Sequence, residues 1–511
     1  MFALPTPDDV RTIGEQFGVH MGDEDARFYQ RFLVEQLEGL DRFVQSRIEA
    51  ERPPLLNAER APGRRPTAEE DPLGAWMWKC SIGGADEGLL AGKTVSFKDH
   101  IAVAGIPLTF GTFLLEGFVP DFDATVVTRV LAAGGTVAGK NTHHGISGLR
   151  SAGGALGDYW EAVNPHDAGR QTGGSSSGPA AAVAGGEVDV AIGGDQGGSI
   201  RLPAAYCGVV GLKPTFGLVS HMGAAYGGEP SIDHVGPLAR TVEDVAVTLQ
   251  AIAGYDGYDP RQGRDVPESI DALSTLRDGV EGLRIGLVTE GFSDPIEPAV
   301  RDGVRAAVES LRAQGATVVE ISVPAHHDVL PAAGALQLEG FRMMRATGPW
   351  GGGTRGHYPS TLISAWERAW SDHADQMAGY LKLTWVLGEL SRRNFHGAVY
   401  AKAQNVRPVF TRAYDRALEE VDVLAMPTCP IVAPPVPEPV SYAEGWHREI
   451  EVLREIFPAY RNVQPFNYTG HPALAVPCGK DGDLPFSMQL VGRHFEDPLL
   501  LRVAYAYEQQ G

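Results

Sequence analysis

The chain has 511 residues, 43% of them hydrophobic and 21% charged, which is an ordinary globular composition in a chain long enough for more than one domain. Its net charge of −21 disfavours nucleic acid and anionic membrane surfaces as partners, because an acidic surface repels phosphate groups. We expect a cytoplasmic protein, since residues 1–18 do not resemble a signal peptide and no apolar stretch approaches the roughly 20 residues that span a bilayer.

The first part of the chain is predicted to be helical. Thr6, Pro7 and Asp9 form a helix-start pattern, in which a capping hydroxyl precedes proline and acidic residues. A second helix is predicted from about Asp25, with apolar residues at helical spacing. Residues 52–72 are rich in proline, arginine and glutamate, as in a linker. We therefore predict a helical segment and linker at 1–72, whose apolar stripe packs on the main domain or on a second copy in a homodimer.

From about residue 75 the pattern changes to alternating strands and helices. We predict strands at residues 93–97, 136–138, 188–192, 283–289, 317–323, 421–425, 473–476 and 486–491. We predict helices at residues 125–133, 179–184, 297–313 and 499–508, and a helical, cap-like insertion at about 330–420 with a glycine loop at 351–353. This alternation predicts an α/β fold in residues 73–511, with a large mixed β-sheet covered by helices.

Two glycine–serine loops and one lysine are the strongest chemical signal. The first loop, residues 173–178, contains Ser175, and the second, residues 193–201, contains Ser199. Glycine-rich backbone can bring amide N–H groups close to a reacting oxygen, and a serine held there can act as a nucleophile. It needs a base, and a desolvated lysine such as Lys98, at the end of a predicted strand, can serve. One such loop alone would more often be a simple turn.

Other motifs are weaker. Gly351, Gly353 and Gly356 have the spacing of a dinucleotide-binding loop but do not follow a strand. Pro179 stands where a phosphate-binding loop requires lysine. The histidine pairs at 143–144 and 326–327 are adjacent and lack metal-ligand spacing, and the four cysteines are far apart, as expected of reduced thiols. We therefore expect no cofactor and no metal.

Residues 173–217, which include the run Gly-Gly-Asp-Gln-Gly-Gly-Ser-Ile-Arg, closely resemble the signature of the amidase signature family. The similarity extends to residues 95–99, 233–237, 422–428 and 469–473, so it covers about 75–511. The chain looks most like the bacterial amidases of nitrile and aryl-amide catabolism. The resemblance implies the amidase signature fold for the large domain.

The resemblance also implies a Ser–Ser–Lys triad. By motif position, Ser199 is the nucleophile, Ser175 the bridging serine on a cis peptide and Lys98 the base. Backbone N–H groups would hold the oxyanion, and the residues assigned to this role, with Ser199 itself, are Gln196, Gly197 and Gly198. Three further residues match supporting positions of the family. Ser177 corresponds to a serine that hydrogen-bonds near the lysine, and Asp195 and Arg201 would hold the loop in shape.

The chain departs from the family pattern at two places near the expected substrate pocket. Gly194 stands where many members have threonine or serine, and residues 142–145 read Thr-His-His-Gly where the family often has Asn-Met followed by an acidic residue. The roles of His143 and His144 stay open. Acyl and amine preference therefore do not follow from the resemblance.

The expected function is hydrolysis of small, neutral, hydrophobic or aromatic amides, with carbamates (urethanes) and esters as further candidates. The partner is thus a small-molecule substrate. Two alternatives share the signature. One is the amidase subunit of a glutamine-dependent tRNA amidotransferase, and the other is a non-catalytic binding protein with the same fold.

Overall fold

The computed structural model describes residues 3–48, 52–112, 115–145, 160–348, 360–438 and 457–510, with single positions 358, 448, 450, 451 and 454. The chain forms two compact units, Met1–Glu51 and Arg52–Gly511. Residues 52–72, predicted to be a linker, thus belong to the larger unit. There Arg60 forms a buried salt bridge with Asp123, and the backbones of Arg64 and Lys79 hydrogen-bond to each other.

The N-terminal unit contains two helices, α1 (Pro7–Gln16) and α2 (Asp23–Val44). The Thr6 hydroxyl accepts from the Asp9 N–H at 3.2 Å, and the Asp9 carboxylate accepts from the Thr6 N–H at 2.7 Å. This reciprocal capping box explains why α1 begins where the sequence predicts it. The apolar residues of α2 include Phe28, Phe32 and Phe43, all of which are exposed.

The larger unit is built on one mixed sheet of eleven strands within the described residues. The strands lie in the order β1-β3-β2-β4-β6-β5-β10-β11-β9-β7-β8. In chain order they are β1 (Trp76–Ile82), β2 (Thr94–Lys98), β3 (Thr136–Asn141), β4 (Val190–Asp195), β5 (Val210–Lys213), β6 (His234–Ala239), β7 (Arg284–Val288), β8 (Thr317–Ile321), β9 (Val423–Pro427), β10 (Ala473–Asp481) and β11 (Leu484–Val491). The mixed sheet predicted from strand–helix alternation is therefore confirmed.

Helices cover this sheet. Those outside the cap region are α3 (Thr125–Ala132), α4 (Ser177–Ala184), α5 (Arg201–Cys207), α6 (Val242–Ile252), α7 (Pro298–Ser310), α12 (Gln464–Thr469) and α13 (Asp497–Glu508). Strand and helix side chains share a large apolar core that includes Val95, Val190, Leu249 and Leu490, all fully buried. Such burial is the main favourable contribution to folding. Within the described residues, no helix is both long enough and apolar enough to cross a membrane.

The segment predicted as a helical cap is mainly helical in its described part, with breaks between the helices. It contains α8 (Val329–Thr347), α9 (Ser360–His373), α10 (Gly379–Phe395) and α11 (Ala398–Glu420). Side chains of α8, α9 and α10 form a second apolar cluster, rich in aromatic residues, with the loop that carries Phe110 and Phe122. The glycine loop predicted at 351–353 lies outside the described residues.

Parallel pairing of β2 with β4 brings the two halves of the predicted site together. Phe97 on β2 pairs with Ile192 on β4, so both strands end at the same edge of the sheet. Lys98 is the last residue of β2, and the second glycine–serine loop leaves the end of β4. Ligand sites of sheets with parallel strands commonly lie at the carboxyl ends of those strands.

Candidate active site

Lys98 and Ser175 are in direct contact inside the larger unit. The Lys98 side chain is buried, with 1% of the residue exposed, and Ser175 is fully buried. A hydrogen bond of 2.7 Å joins Lys98 Nζ to Ser175 Oγ. Burial lowers the pKa of Lys98 to about 7, although the carboxylates of Asp233 and Asp195 act in the opposite direction. A substantial fraction of this amine is thus unprotonated near neutral pH.

The first loop places Ser175 just before α4. The Gly174–Ser175 peptide bond is cis, as the family resemblance implies. A side chain at position 174 would collide with His144, because a Cβ there would lie 2.3 Å from the imidazole ring. The N–H of His144 donates to the Ser175 carbonyl at 3.3 Å. Glycine at position 174 therefore lets His144 pack directly against the loop.

Backbone hydrogen bonds join the second loop to the first. The Ser176 N–H donates to the Ser199 carbonyl at 3.2 Å, and the Ser176 hydroxyl donates to the Gly194 carbonyl at 3.1 Å. Ser199 is only partly buried and lies two residues before the start of α5 at Arg201. The fold thus gathers Lys98, Ser175 and Ser199, which are distant in sequence, into one place.

Asp195 holds the second loop from within. Its carboxylate accepts from the N–H groups of Gly198 at 2.7 Å and Ile200 at 3.0 Å. Arg201 donates to both carboxylate oxygens at 3.0 Å, and Asn467 donates to Oδ1 at 2.8 Å. Burial raises the pKa of Asp195, but the charge of Arg201 and these hydrogen bonds outweigh burial and hold it well below its usual range. Asp195 is therefore a carboxylate whose hydrogen bonds to Gly198, Ile200 and Arg201 fix the shape of the loop.

One N–H group that was predicted to hold the oxyanion makes a hydrogen bond within the loop. The Gly198 N–H already donates to Asp195, so it is not available to a substrate oxygen. In the described part of the chain, the N–H groups of Gln196, Gly197 and Ser199 make no such bond. The Gln196 side chain turns away and donates to the Glu229 carbonyl at 3.2 Å. Sequence reasoning could not detect this, because it depends on which way each amide points.

Ser177 also differs from expectation. It is the first residue of α4 and fully buried, but among the described residues its hydroxyl has no hydrogen-bond partner. The predicted bond near Lys98 is therefore not formed in this structure. Ser176 instead makes the contact between the loops.

His100 lies beside the predicted triad. It was not identified as a site residue from the sequence. A Cβ at Gly194 would lie 2.5 Å from His100 Nε2, so the imidazole takes the space that a threonine or serine side chain would need. His143, whose role was open, packs edge-on against His100 with ring centroids 6.0 Å apart. Burial, with Lys98 as a second cause, holds the pKa of both well below the usual range. The departure from the family pattern at Gly194 was the available signal.

One group of described side chains has the composition of a metal site, although none was predicted. Ligand atoms of Asp415, His471 and His494 lie within 4.8 Å of one another. Hydrogen bonds already use them, since His471 Nε2 lies 3.1 Å from Asp415 Oδ1 and His494 Nε2 lies 3.1 Å from the Thr469 carbonyl oxygen. None of the three was predicted as a site residue.

Comparison with known proteins shows the family of this chain. Residues 75–501 match the model of the Amidase family. An enantioselective amidase of Rhodococcus rhodochrous is 40% identical over 446 residues, which cover 86% of this chain and 84% of the relative. A glutamyl-tRNA(Gln) amidotransferase subunit of Chloroflexus aggregans is 38% identical, covering 82% of this chain and 83% of that protein. The crystal structure of the peptide amidase from Stenotrophomonas maltophilia superposes with a TM-score of 0.66 at 30% identity, covering 83% of each chain.

The chain therefore belongs to the amidase family, and it is an enzyme of the amidohydrolase type with the amidase signature fold. The match covers almost all of the larger unit, which contains both glycine–serine loops.

Proposed function

We propose that this enzyme hydrolyses the C–N bond of small, neutral, hydrophobic or aromatic amides through an acyl-enzyme on Ser199. The products are a carboxylate and an amine or ammonia. The observation that carries the proposal is the buried amine of Lys98, whose pKa is about 7 and whose Nζ lies 2.7 Å from Ser175 Oγ. Such an amine can accept a proton near neutral pH, whereas an exposed lysine cannot.

The proposed reaction has two halves. Neutral Lys98 accepts a proton from Ser175 as Ser175 accepts one from Ser199, and the Ser199 oxygen bonds to the substrate carbonyl carbon. The N–H groups of Gln196, Gly197 and Ser199 hold the resulting oxyanion, with a contribution of roughly 3–4 kcal/mol per donor. Lys98 then returns the proton through Ser175 to the leaving nitrogen, and the C–N bond breaks. Water attacks the acyl-enzyme by the same proton route and releases the carboxylate.

The surroundings of the triad favour apolar substrates. Phe110 packs between the triad region and the cap, with its ring centroid 5.7 Å from His143 and 6.5 Å from Trp366. Its φ of +58° is unusual for a bulky residue, and such conformations concentrate at functional sites. The aromatic cluster of the cap continues from Trp366. Carbamates and esters present the same carbonyl geometry, so urethanase and aryl acylamidase activities belong to this proposal.

A second candidate is the amidase subunit of a glutamine-dependent amidotransferase, because several relatives carry that name at similar identity. The two functions differ in substrate. An amidotransferase subunit would release ammonia from glutamine and copurify with a partner protein. An amidase would hydrolyse hydrophobic amides as an isolated chain and leave glutamine intact.

Two measurements test the proposal. A fluorophosphonate probe should label wild-type protein at Ser199, as located by peptide mass spectrometry, and Ser199→Ala should lose both labelling and turnover while it unfolds at the wild-type temperature. Ser293, a hydroxyl outside the proposed triad, provides the control variant Ser293→Ala, which should stay active. Wild-type turnover in Ser199→Ala would contradict the assignment of the nucleophile. A panel of aliphatic, aryl and carbamate substrates, with glutamine included, then decides between the candidates.

A further inference from the structure

Two glutamine side chains meet beside the oxyanion loop. Gln337 lies on α8 of the cap, and Gln464 is the first residue of α12. Gln464 Nε2 donates to Gln337 Oε1 at 3.3 Å, so the amides form a pair across the two helices. Neither residue was predicted from the sequence, because they are 127 positions apart and belong to no motif.

Their position relative to the loop is well defined. Gln337 Nε2 lies 3.4 Å from the point that a Cβ on Gly197 would occupy. Val463, the residue before Gln464, packs against Gly198, and its carbonyl accepts from Arg201 Nη1 at 2.9 Å. Gln337 is only partly buried. The pair therefore borders the loop whose N–H groups would hold the substrate carbonyl.

Each amide keeps one unused polar group. Gln464 Oε1 is buried and, among the described residues, has no hydrogen-bond partner. Gln337 uses its carbonyl oxygen in the bond to Gln464, so its Nε2, on a side chain that is only partly buried, is left to donate to a further acceptor. If the oxygen and nitrogen of both side-chain amides are interchanged, Gln337 becomes the donor and Gln464 the acceptor, and one acceptor and one donor still remain without a partner in the pair. An unpartnered carbonyl oxygen beside the loop is free to accept a hydrogen bond from a bound ligand or a water molecule.

We propose that Gln337 and Gln464 recognise a second amide-type group of the substrate, in addition to the scissile one. One donor and one acceptor from a hydrogen-bonded pair are complementary to the C=O and N–H of a secondary amide or a carbamate. Among the described contacts, neither glutamine touches Lys98 or Ser175, the residues that would face the leaving amine. We assign the second group to the acyl part, because the pair borders Gly197 of the loop whose N–H groups would hold the acyl carbonyl, so preferred substrates are acylamino-substituted amides. This inference rests on the function proposed above.

The test compares two substrates of equal length. N-acetylglycine para-nitroanilide carries the second amide, and pentanoyl para-nitroanilide replaces it with methylenes. For the wild-type enzyme we expect kcat/KM to be higher for the acetylglycine compound by about tenfold or more. In Gln464→Met and in Gln337→Met this ratio should fall by about fivefold or more. Gln376→Met, which changes another partly buried glutamine of the cap, should keep the wild-type ratio.

The outcomes separate the inference from the proposed function. Hydrolysis of both compounds with equal kcat/KM, or with a ratio that neither glutamine variant changes, would overturn the inference and leave the function standing. Absence of hydrolysis together with absence of Ser199 labelling would overturn both. Should the methionine variants fail to fold, calorimetry with Ser199→Ala decides the matter, since N-acetylglycinamide must then bind more tightly than pentanamide.

Discussion

Three buried lysines of this chain differ in what their amines contact. Lys140 Nζ lies 2.9 Å from the carboxylate of Asp99, with both side chains fully buried. Lys213 donates to the Pro214 carbonyl at 2.9 Å, and burial holds its pKa well below the usual range. Lys98 contacts the hydroxyl of Ser175. The carboxylate beside Lys140 stabilises an ammonium ion, so this lysine is suited to a structural ion pair. The hydroxyl beside Lys98 does not compensate for the loss of water around a charged amine, so Lys98 is suited to exchange a proton.

The activity of the enzyme should depend on the protonation state of Lys98. Because the reaction uses unprotonated Lys98, kcat/KM should rise as pH increases through about 7 and then level off. Lys98→Met should lower kcat/KM by about 100-fold to 10,000-fold. Stopped or continuous assays from pH 5 to 10 provide the measurement. A rate that does not depend on pH near 7 would show that another group accepts the proton.

The second prediction concerns stability at the same residue. Between about pH 7 and the ordinary lysine pKa, the unfolded chain binds a proton that folded Lys98 does not, so stability rises with pH across this window. Lys98→Met removes this penalty, and at pH 7 it should increase the free energy of unfolding by roughly a few kcal/mol. Urea titrations at pH 7 and 9 measure it, and the difference from wild type should shrink at pH 9. The control Lys140→Met should be destabilised, because it leaves Asp99 buried without its partner.

At the scale of elements, the loop between β4 and α5 depends on one glycine for its shape. Gly198 has a φ of +120°, and a Cβ there would lie 2.5 Å from Val463 Cγ2. Its N–H is also the donor that Asp195 accepts at 2.7 Å. A side chain at this position would therefore move both the neighbouring N–H groups and the start of α12. Oxyanion donors act only when they are held at the right place before the reaction.

Gly198→Ala tests this dependence. We expect kcat to fall by about 100-fold or more, since displacement of one oxyanion donor has an effect of that size. Gly186→Ala is the matched control, because Gly186 also has positive φ, at +73°, but no atom lies within 4 Å of the added Cβ. It should lose some stability and keep its kcat. Equal loss of activity in both variants would assign the effect to backbone strain in general instead of to this loop.

At the scale of the whole molecule, charge limits the choice of partner. The net charge of −21 predicts that the isolated protein does not bind tRNA at physiological salt, because binding to a phosphate backbone requires an excess of cationic contacts. A gel-shift assay with unfractionated tRNA, repeated at low salt and with a known tRNA-binding protein as positive control, measures this. A salt-sensitive complex would favour the amidotransferase alternative over the hydrolysis of hydrophobic amides.

Pairing across the whole sheet explains why some strands could not be predicted from the sequence. Strands β1, β5 and β6 were not predicted, although all three are paired in the sheet. β5 is only four residues long, and β6 contains Gly236 and Pro237, which usually weaken a strand assignment. Their strand conformation comes from pairing with strands elsewhere in the chain, since β1 pairs with β3, β5 with β10 and β6 with β4. Strands β7 and β11 were predicted because their apolar residues give a strand pattern that is visible in the local sequence.

The sequence by itself determined the family and the mixed α/β architecture, and it identified Lys98, Ser175 and Ser199 as the proposed catalytic residues, because glycine loops and their flanking residues form a local pattern. The tertiary structure alone decided the rest. It lowers the pKa of Lys98 by burial, it places the Gly198 N–H in a hydrogen bond to Asp195, and it places Gln337 in contact with Gln464. The physical reason is that desolvation and hydrogen-bond direction depend on groups far apart in the chain, which meet only when the sheet and the cap have formed.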